Sequence, residues 1–240
     1  MDLISVQKHG NFGNDVYGDV LSHCKRPNRG DGRYTDVHET SHFISSELRR
    51  GRMGYNGFYI LNSKGVLIKE PPTTIGEVAT YVPSNFRGMR YQLYLVDQRR
   101  YWDEQPLYIV EELNCYFLGG ACALDDHKNG RSLERTDAVA GMFEFRIYST
   151  AVAMCVKEKC PEYWDVNKQF HEFMKYRLSN SMEYFLEGRE IPDFQSSISD
   201  KLYNEYTNSS EGEHFEQFIK DNFSNQPKPE PINWTINKIF

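Results

Sequence analysis

The sequence predicts an α+β fold. A small, mostly antiparallel sheet lies beside a helix carrying His38-Glu39-Thr40-Ser41-His42, and a predominantly helical C-terminal half follows. Three observations lead there. Two β-rich runs, Gly57-Phe58-Tyr59-Ile60-Leu61 and Val66-Leu67-Ile68, flank the turn Asn62-Ser63-Lys64-Gly65 and read as a hairpin. Val37, Ser41, Ile44 and Leu48 recur at helical spacing through the histidine pair. From Leu133 onward the apolar residues keep a helical period over long stretches.

Length and composition set the outer bounds. At 240 residues the chain can bury a core without disulfides, and 39% hydrophobic with 26% charged residues is globular composition. The net charge of −6 and the absence of a basic cluster argue against a nucleic-acid partner. No run approaches the roughly 18 apolar residues a membrane span needs, and no signal peptide is seen at the N-terminus. The five cysteines form no CxxC pair and read as reduced thiols. The expectation is a cytoplasmic protein, with secretion lacking a recognisable leader still open.

Taken in order, residues 1–34 read as one or two short strands in loops, at Leu3 to Val6 and Val16 to Leu21. Arg29-Gly30-Asp31 there is read as a turn. Thr35 or Asp36 is the expected N-cap of the motif helix, about 35–50, with Glu39 completing a capping box and Gly51 stopping it. After the hairpin, Val78 to Val82 and Tyr91 to Val96 are strand candidates. Pro106 opens a helix over about 106–118. Helices then follow over Leu133 to Lys159, Asp165 to Leu186, Ser196 to Tyr206 and Glu213 to Phe223. The expected organisation is a catalytic region over 1–130, a helical region over 131–223 packed on it, and an extended tail over 224–240.

The motif supplies the chemistry. In H-E-x-x-H on a helix, His38 and His42 lie one turn apart on one face and reach one metal ion, while Glu39 stands beside it as general base. A hydrolytic zinc site takes three protein ligands and leaves a place for water, so a third ligand is required. Ser45 and Leu48 stand where a metzincin would have Gly and His, which removes that class. Asp125-Asp126-His127 is a competing cluster, set in what reads as a plain turn.

The segment Tyr108-Ile109-Val110-Glu111-Glu112-Leu113-Asn114-Cys115-Tyr116-Phe117 resembles the second-helix motif of gluzincin zinc peptidases. With Glu111 as ligand, Ile109, Leu113, Tyr116 and Phe117 fall at that motif's apolar positions; Glu112 in its place would put Asn114 at one of them. Glu111 is the better register, and Asn114 departs from the small residue expected three places on. The resemblance implies a zincin-like fold and Zn2+ held by His38, His42 and Glu111. It also implies a metallopeptidase in which Glu39 activates water against a peptide or protein substrate. The transition-state donor is left open among Tyr101, Tyr108, Arg99, Arg100 and His127. Asp125, Asp126 and Glu144 are the candidates to fix the outer imidazole nitrogens. The hairpin around Asn62 to Gly65 is placed to flank the cleft and pair with extended substrate. Two other readings stand beside this one: a zincin-fold protein without catalysis that binds a protein partner, and a metal-free helical domain. Substrate-binding residues and oligomeric state are not specified.

Overall fold

The structure is a computed structural model that describes residues 1–224; apart from Ser224, the tail expected over 224–240 lies outside the described residues. Strand β1 (Ile4–Ser5) precedes helices α1 (Val16–Ser22) and α2 (Arg33–Arg49), and the hairpin strands β2 (Tyr55–Tyr59) and β3 (Lys64–Lys69) follow. Short helix α3 (Ile75–Thr80), a π-helical segment at Tyr91–Asp97 and α4 (Arg99–Trp102) lead into the long α5 (Leu107–Lys128). The rest is helical: α6 (Ala138–Lys159), α7 (Pro161–Val166), α8 (Lys168–Gly188), α9 (Ser197–Asn208), α10 (Ser210–Ile219) and a π-helical end at Lys220–Ser224. The fold is therefore α+β, with one small sheet and mostly helical content.

The sheet is antiparallel in the order β1-β3-β2, with Gly57 opposite Leu67 and Ile4 opposite Gly65. It lies against α2 because Gly57 has no side chain: a Cβ there would stand 2.6 Å from Leu48 Cβ and 2.7 Å from Ser45 O. On its other side α2 packs against α5. The two run antiparallel, since His42 meets Glu111 near the start of α5 while Arg33 meets Asp126 near its end. Gly119 allows that approach, its hypothetical Cβ lying 3.1 Å from Tyr34 O. This contact also explains why α5 continues through Gly119-Gly120 and past the expected end near 118. Behind α5, α6 is buried on nearly every side against α5 and α8. It is long and apolar enough to cross a membrane, but 89% of its apolar window is covered by the rest of the fold.

Three expected strands are helical, each for a local reason. At Val16–Ser22 the Asp15 side chain accepts a hydrogen bond from Gly18 N (2.7 Å), and Val16, Val20 and Leu21 bury one helical face. At Ile75–Thr80 a Thr74/Glu77 capping box is complete in both directions. At Tyr91–Asp97, Leu95 is buried and Tyr91 and Tyr94 pack against the core at helical spacing. The motif helix begins two residues before Thr35, with Gly32 at φ 99° as its N-cap. Asp36 instead points back, accepting from Gly30 N (3.1 Å), Asp31 N (3.2 Å) and Asn28 Nδ2 (3.1 Å), which ties down the loop holding the Arg-Gly-Asp triplet. Asn114 is fully buried: its Nδ2 donates to Tyr59 O (3.0 Å) and its Oδ1 accepts from Arg177 Nη2 (2.6 Å). Its amide joins helix to strand where a smaller residue would leave both groups unmet.

Candidate metal centre

His38 and His42 project from α2 toward the first turns of α5. Their Nε2 atoms face each other at 3.3 Å. Between them stands Glu112, with Oε1 3.4 Å from His42 Nε2 and Oε2 3.6 Å from His38 Nε2. The two imidazole nitrogens and the Glu112 carboxylate, one oxygen toward each ring, thus approach one another at 3.3–3.6 Å. Tetrahedral ligands at about 2.0–2.1 Å from a zinc ion are separated by about 3.3 Å, so the spacing fits such an ion. Glu112 Oε2 is buried and has no hydrogen-bond partner. A lone carboxylate oxygen taken from water is costly unless something positive meets it. The donor set and the orphaned oxygen together fit a divalent cation.

Glu111 occupies a different place from the one its sequence register suggests. Its Oε1 is 2.8 Å from His42 Nδ1, on the far side of the ring from Nε2, and its Oε2 accepts from Arg49 Nη1 (2.7 Å). Arg49 Nη1 also donates to Asn56 Oδ1 (2.7 Å). The chain Asn56–Arg49–Glu111–His42 holds the imidazole with Nδ1 engaged and Nε2 turned to the cluster, the usual work of a carboxylate behind a ligand histidine. The different placement of the two glutamates has a geometric cause. Neighbours on a helix point about 100° apart, and α5 is rotated so that Glu112 faces both Nε2 atoms.

The electrostatics fit a site built for positive charge. Burial, with His42 beside it, pushes His38 down to about 4. Burial also works against charge on His42, but Cys115, Glu112 and Glu111 outweigh it and raise that imidazole well above its ordinary value. Burial acts to raise Glu112, yet His42, His38 and the Tyr108 phenol hold it below the usual carboxylate range. Cys115, wholly buried at His42, is pushed up to about 12 by burial, with His42 acting in the opposite direction.

Glu39 is half-buried on α2 next to His38 and makes no hydrogen bond or ion pair among the described residues. Of the proposed donors, Tyr108 lies beside the cluster, its ring 6.3 Å from that of His42. Tyr101 and His127 are exposed, Arg99 faces Asp103, and Arg100 lies over the Tyr101 ring. Three residues that the sequence reading missed complete the walls. Tyr116 packs edge-on against His38 at 4.5 Å, Tyr94 lies 6.4 Å from Tyr108, and Arg90 Nε donates to Tyr116 Oη (3.3 Å). Tyr116 is one helical turn from Glu112 and Arg49 is two turns from His42, so spacing alone could have marked both. Nothing in the sequence marks Arg90 or Tyr94.

The other carboxylates expected behind the histidines work elsewhere. Asp126 binds Arg33 (2.8 Å) and Arg131 (2.6 Å), Asp125 accepts from Val16 N (3.3 Å), and Glu144 binds Arg90 (2.8 Å) and Tyr148 (2.6 Å). The hairpin turn is tied to α1 through Asp19 and His23. The Tyr59 carbonyl is taken by Asn114, so β2 is closed to strand addition at that point.

No family model, no curated protein and no solved structure matches the chain.

Proposed function

We propose that the chain is a zinc-dependent metallopeptidase of the zincin type, with His38, His42 and Glu112 as ligands and Glu111 fixing His42 from behind. The observation that carries this reading is the triangle of two imidazole nitrogens and one carboxylate with edges of 3.3–3.6 Å, one of whose buried oxygens lacks any partner. When bound, zinc supplies Lewis acidity, polarising a carbonyl and bringing the pKa of water near neutrality. Glu39 sits one residue from a ligand with its carboxylate unengaged, so it is free to take a proton from attacking water and return it to the leaving nitrogen. Tyr94, Tyr108 and Tyr116 wall one side of the site, leaving the histidines partly open to solvent.

The test is Glu39→Gln assayed on a broad peptide library with zinc content measured in parallel. Cleavage is expected to fall by about 10²–10⁴-fold while zinc stays bound, the range a positioned general base contributes. Unchanged cleavage would overturn the reading. One observation favours a second reading, a zincin-fold module that binds protein without cutting it. Met89, Leu93, Val96 and Tyr101 expose apolar side chains on the segment whose Arg90 and Tyr94 touch the walls of the site. Bound zinc with no cleavage of any library member would select that alternative.

A further inference from the structure

A second constellation lies apart from the metal cluster, where the β2–β3 turn meets α1. Ser63 Oγ is 2.7 Å from His23 Nε2. On the other side of the ring, His23 Nδ1 is 2.6 Å from the Asp19 carbonyl, 2.8 Å from Tyr59 Oη and 3.5 Å from Asp19 Oδ1. A carbonyl can only accept, so in the neutral ring Nδ1 carries the proton and Nε2 offers its lone pair to the serine hydroxyl. That is the tautomer a general base needs. Asp19 Oδ2 accepts from Tyr59 Oη (2.8 Å) and Asn62 N (3.0 Å), which fixes the carboxylate behind the ring. His23 is 2% exposed, whereas Ser63 is half-buried and reachable from solvent.

The backbone adds a second observation. Leu61, Asn62 and Ser63 take φ of 69°, 54° and 58°, three successive non-glycine residues in the left-handed region. Each costs about 1–2 kcal/mol. Strain of this kind collects where a side chain must be presented in a fixed direction. Beside the turn is a cavity of about 130 Å3 lined by Asp19, Leu61, Asn62, Leu124, Lys128 and Tyr184; it borders the residues next to Ser63 in the chain, not Ser63 itself.

We infer that Ser63 is an activated nucleophile, with His23 as its base and Asp19 behind it, acting on short-chain activated esters. Ser63 Oγ bonds to the acyl carbon and its proton passes to His23 Nε2. The bond from that carbon to the leaving oxygen breaks, and the leaving alkoxide takes the proton from His23. Water then repeats the exchange on the acyl-serine and releases the acid. The leaving group must be a good one, because the Asn62, Ser63 and Lys64 amides around the nucleophile are already committed to Asp19 Oδ2, Tyr59 Oη and Leu61 O. With little oxyanion support an aryl ester is within reach and a peptide amide is not.

The test uses the full chain with zinc removed by chelator, so that no metal-dependent cleavage contributes. A fluorophosphonate probe and p-nitrophenyl acetate are each added, and the adduct is located by peptide mass mapping. The expected result is modification of Ser63 about 100-fold faster than of other serines, the scale a positioned base gives, with a nitrophenolate burst that Ser63→Ala abolishes at unchanged melting temperature. Modification spread evenly over the serines, or a burst that persists in Ser63→Ala, would overturn the inference and leave the network as an anchor for the hairpin. Neither outcome bears on the metal centre.

Discussion

Two buried polar clusters sit at opposite ends of the α2–α5 pair, and they are finished to different degrees. At the far end, Arg33 and Arg131 meet Asp15 and Asp126. Arg33 Nε and Nη2 make a two-pronged contact with Asp126, and Arg131 Nη1 bridges Asp15 (2.8 Å) and Asp126 (2.6 Å). Every carboxylate there has a cation. At the near end, two imidazole nitrogens face each other and a buried Glu112 oxygen has no partner. The lesson concerns what incompleteness means. A complete network is a clamp whose worth is stability, whereas an incomplete one leaves a buried carboxylate oxygen that no described residue meets.

The contrast can be broken by substitution at each end. The largest effect is expected from Glu112→Ala or His42→Ala, which should lower zinc affinity by more than about 100-fold, beyond what loss of an outer partner costs. Elemental analysis and competition with a chelating dye would measure it. Glu111→Ala should do less, about 10–100-fold, because it removes the support of a ligand and leaves the donors in place. If Glu111→Ala proved the more damaging of the two glutamate changes, the register would revert to Glu111. Asp126→Ala should leave zinc content untouched and cost about 2–3 kcal/mol of unfolding free energy, since its arginine partners are partly exposed. A denaturant titration reads that loss.

The smallest effect is in acid. Burial acts to raise Asp15, but the Gly18 amide and the Arg33 and Arg131 guanidiniums hold its carboxyl below the ordinary 3.8. A folded-state value below the unfolded one gives stability that is present above about 3.8 and lost as pH falls through the lowered value. For chelated protein, Asp15→Asn should flatten the stability profile below pH 4 by under about 1 kcal/mol. A profile as steep as that of the unsubstituted chain would remove Asp15 from the account.

How far the sequence could be read differs between these same regions. The motif helix and the facing histidines were legible because a one-turn spacing is a local property. The hairpin was legible for the same reason, within a few residues at each strand. Val16 to Leu21, Val78 to Val82 and Tyr91 to Val96 read as strands because their β-branched and aromatic residues resemble strand composition, yet they fall largely in helical segments at Val16–Ser22, Ile75–Thr80 and Tyr91–Asp97. Capping at the first two and core packing at the third decide otherwise. Asp125-Asp126-His127 looked like metal ligands in sequence, yet Arg33, distant along the chain, claims Asp126.

The sequence by itself determined that two imidazoles share a helix face, that a carboxylate pair follows on a later helix, and that the C-terminal half is helical. Only the tertiary structure decided which of the two adjacent carboxylates faces the histidines. The reason is rotational. Periodicity fixes the angle between Glu111 and Glu112 but not the orientation of α5 about its own axis, and that orientation comes from contacts made through Gly119, Asn114 and Arg177 by residues far apart in the chain.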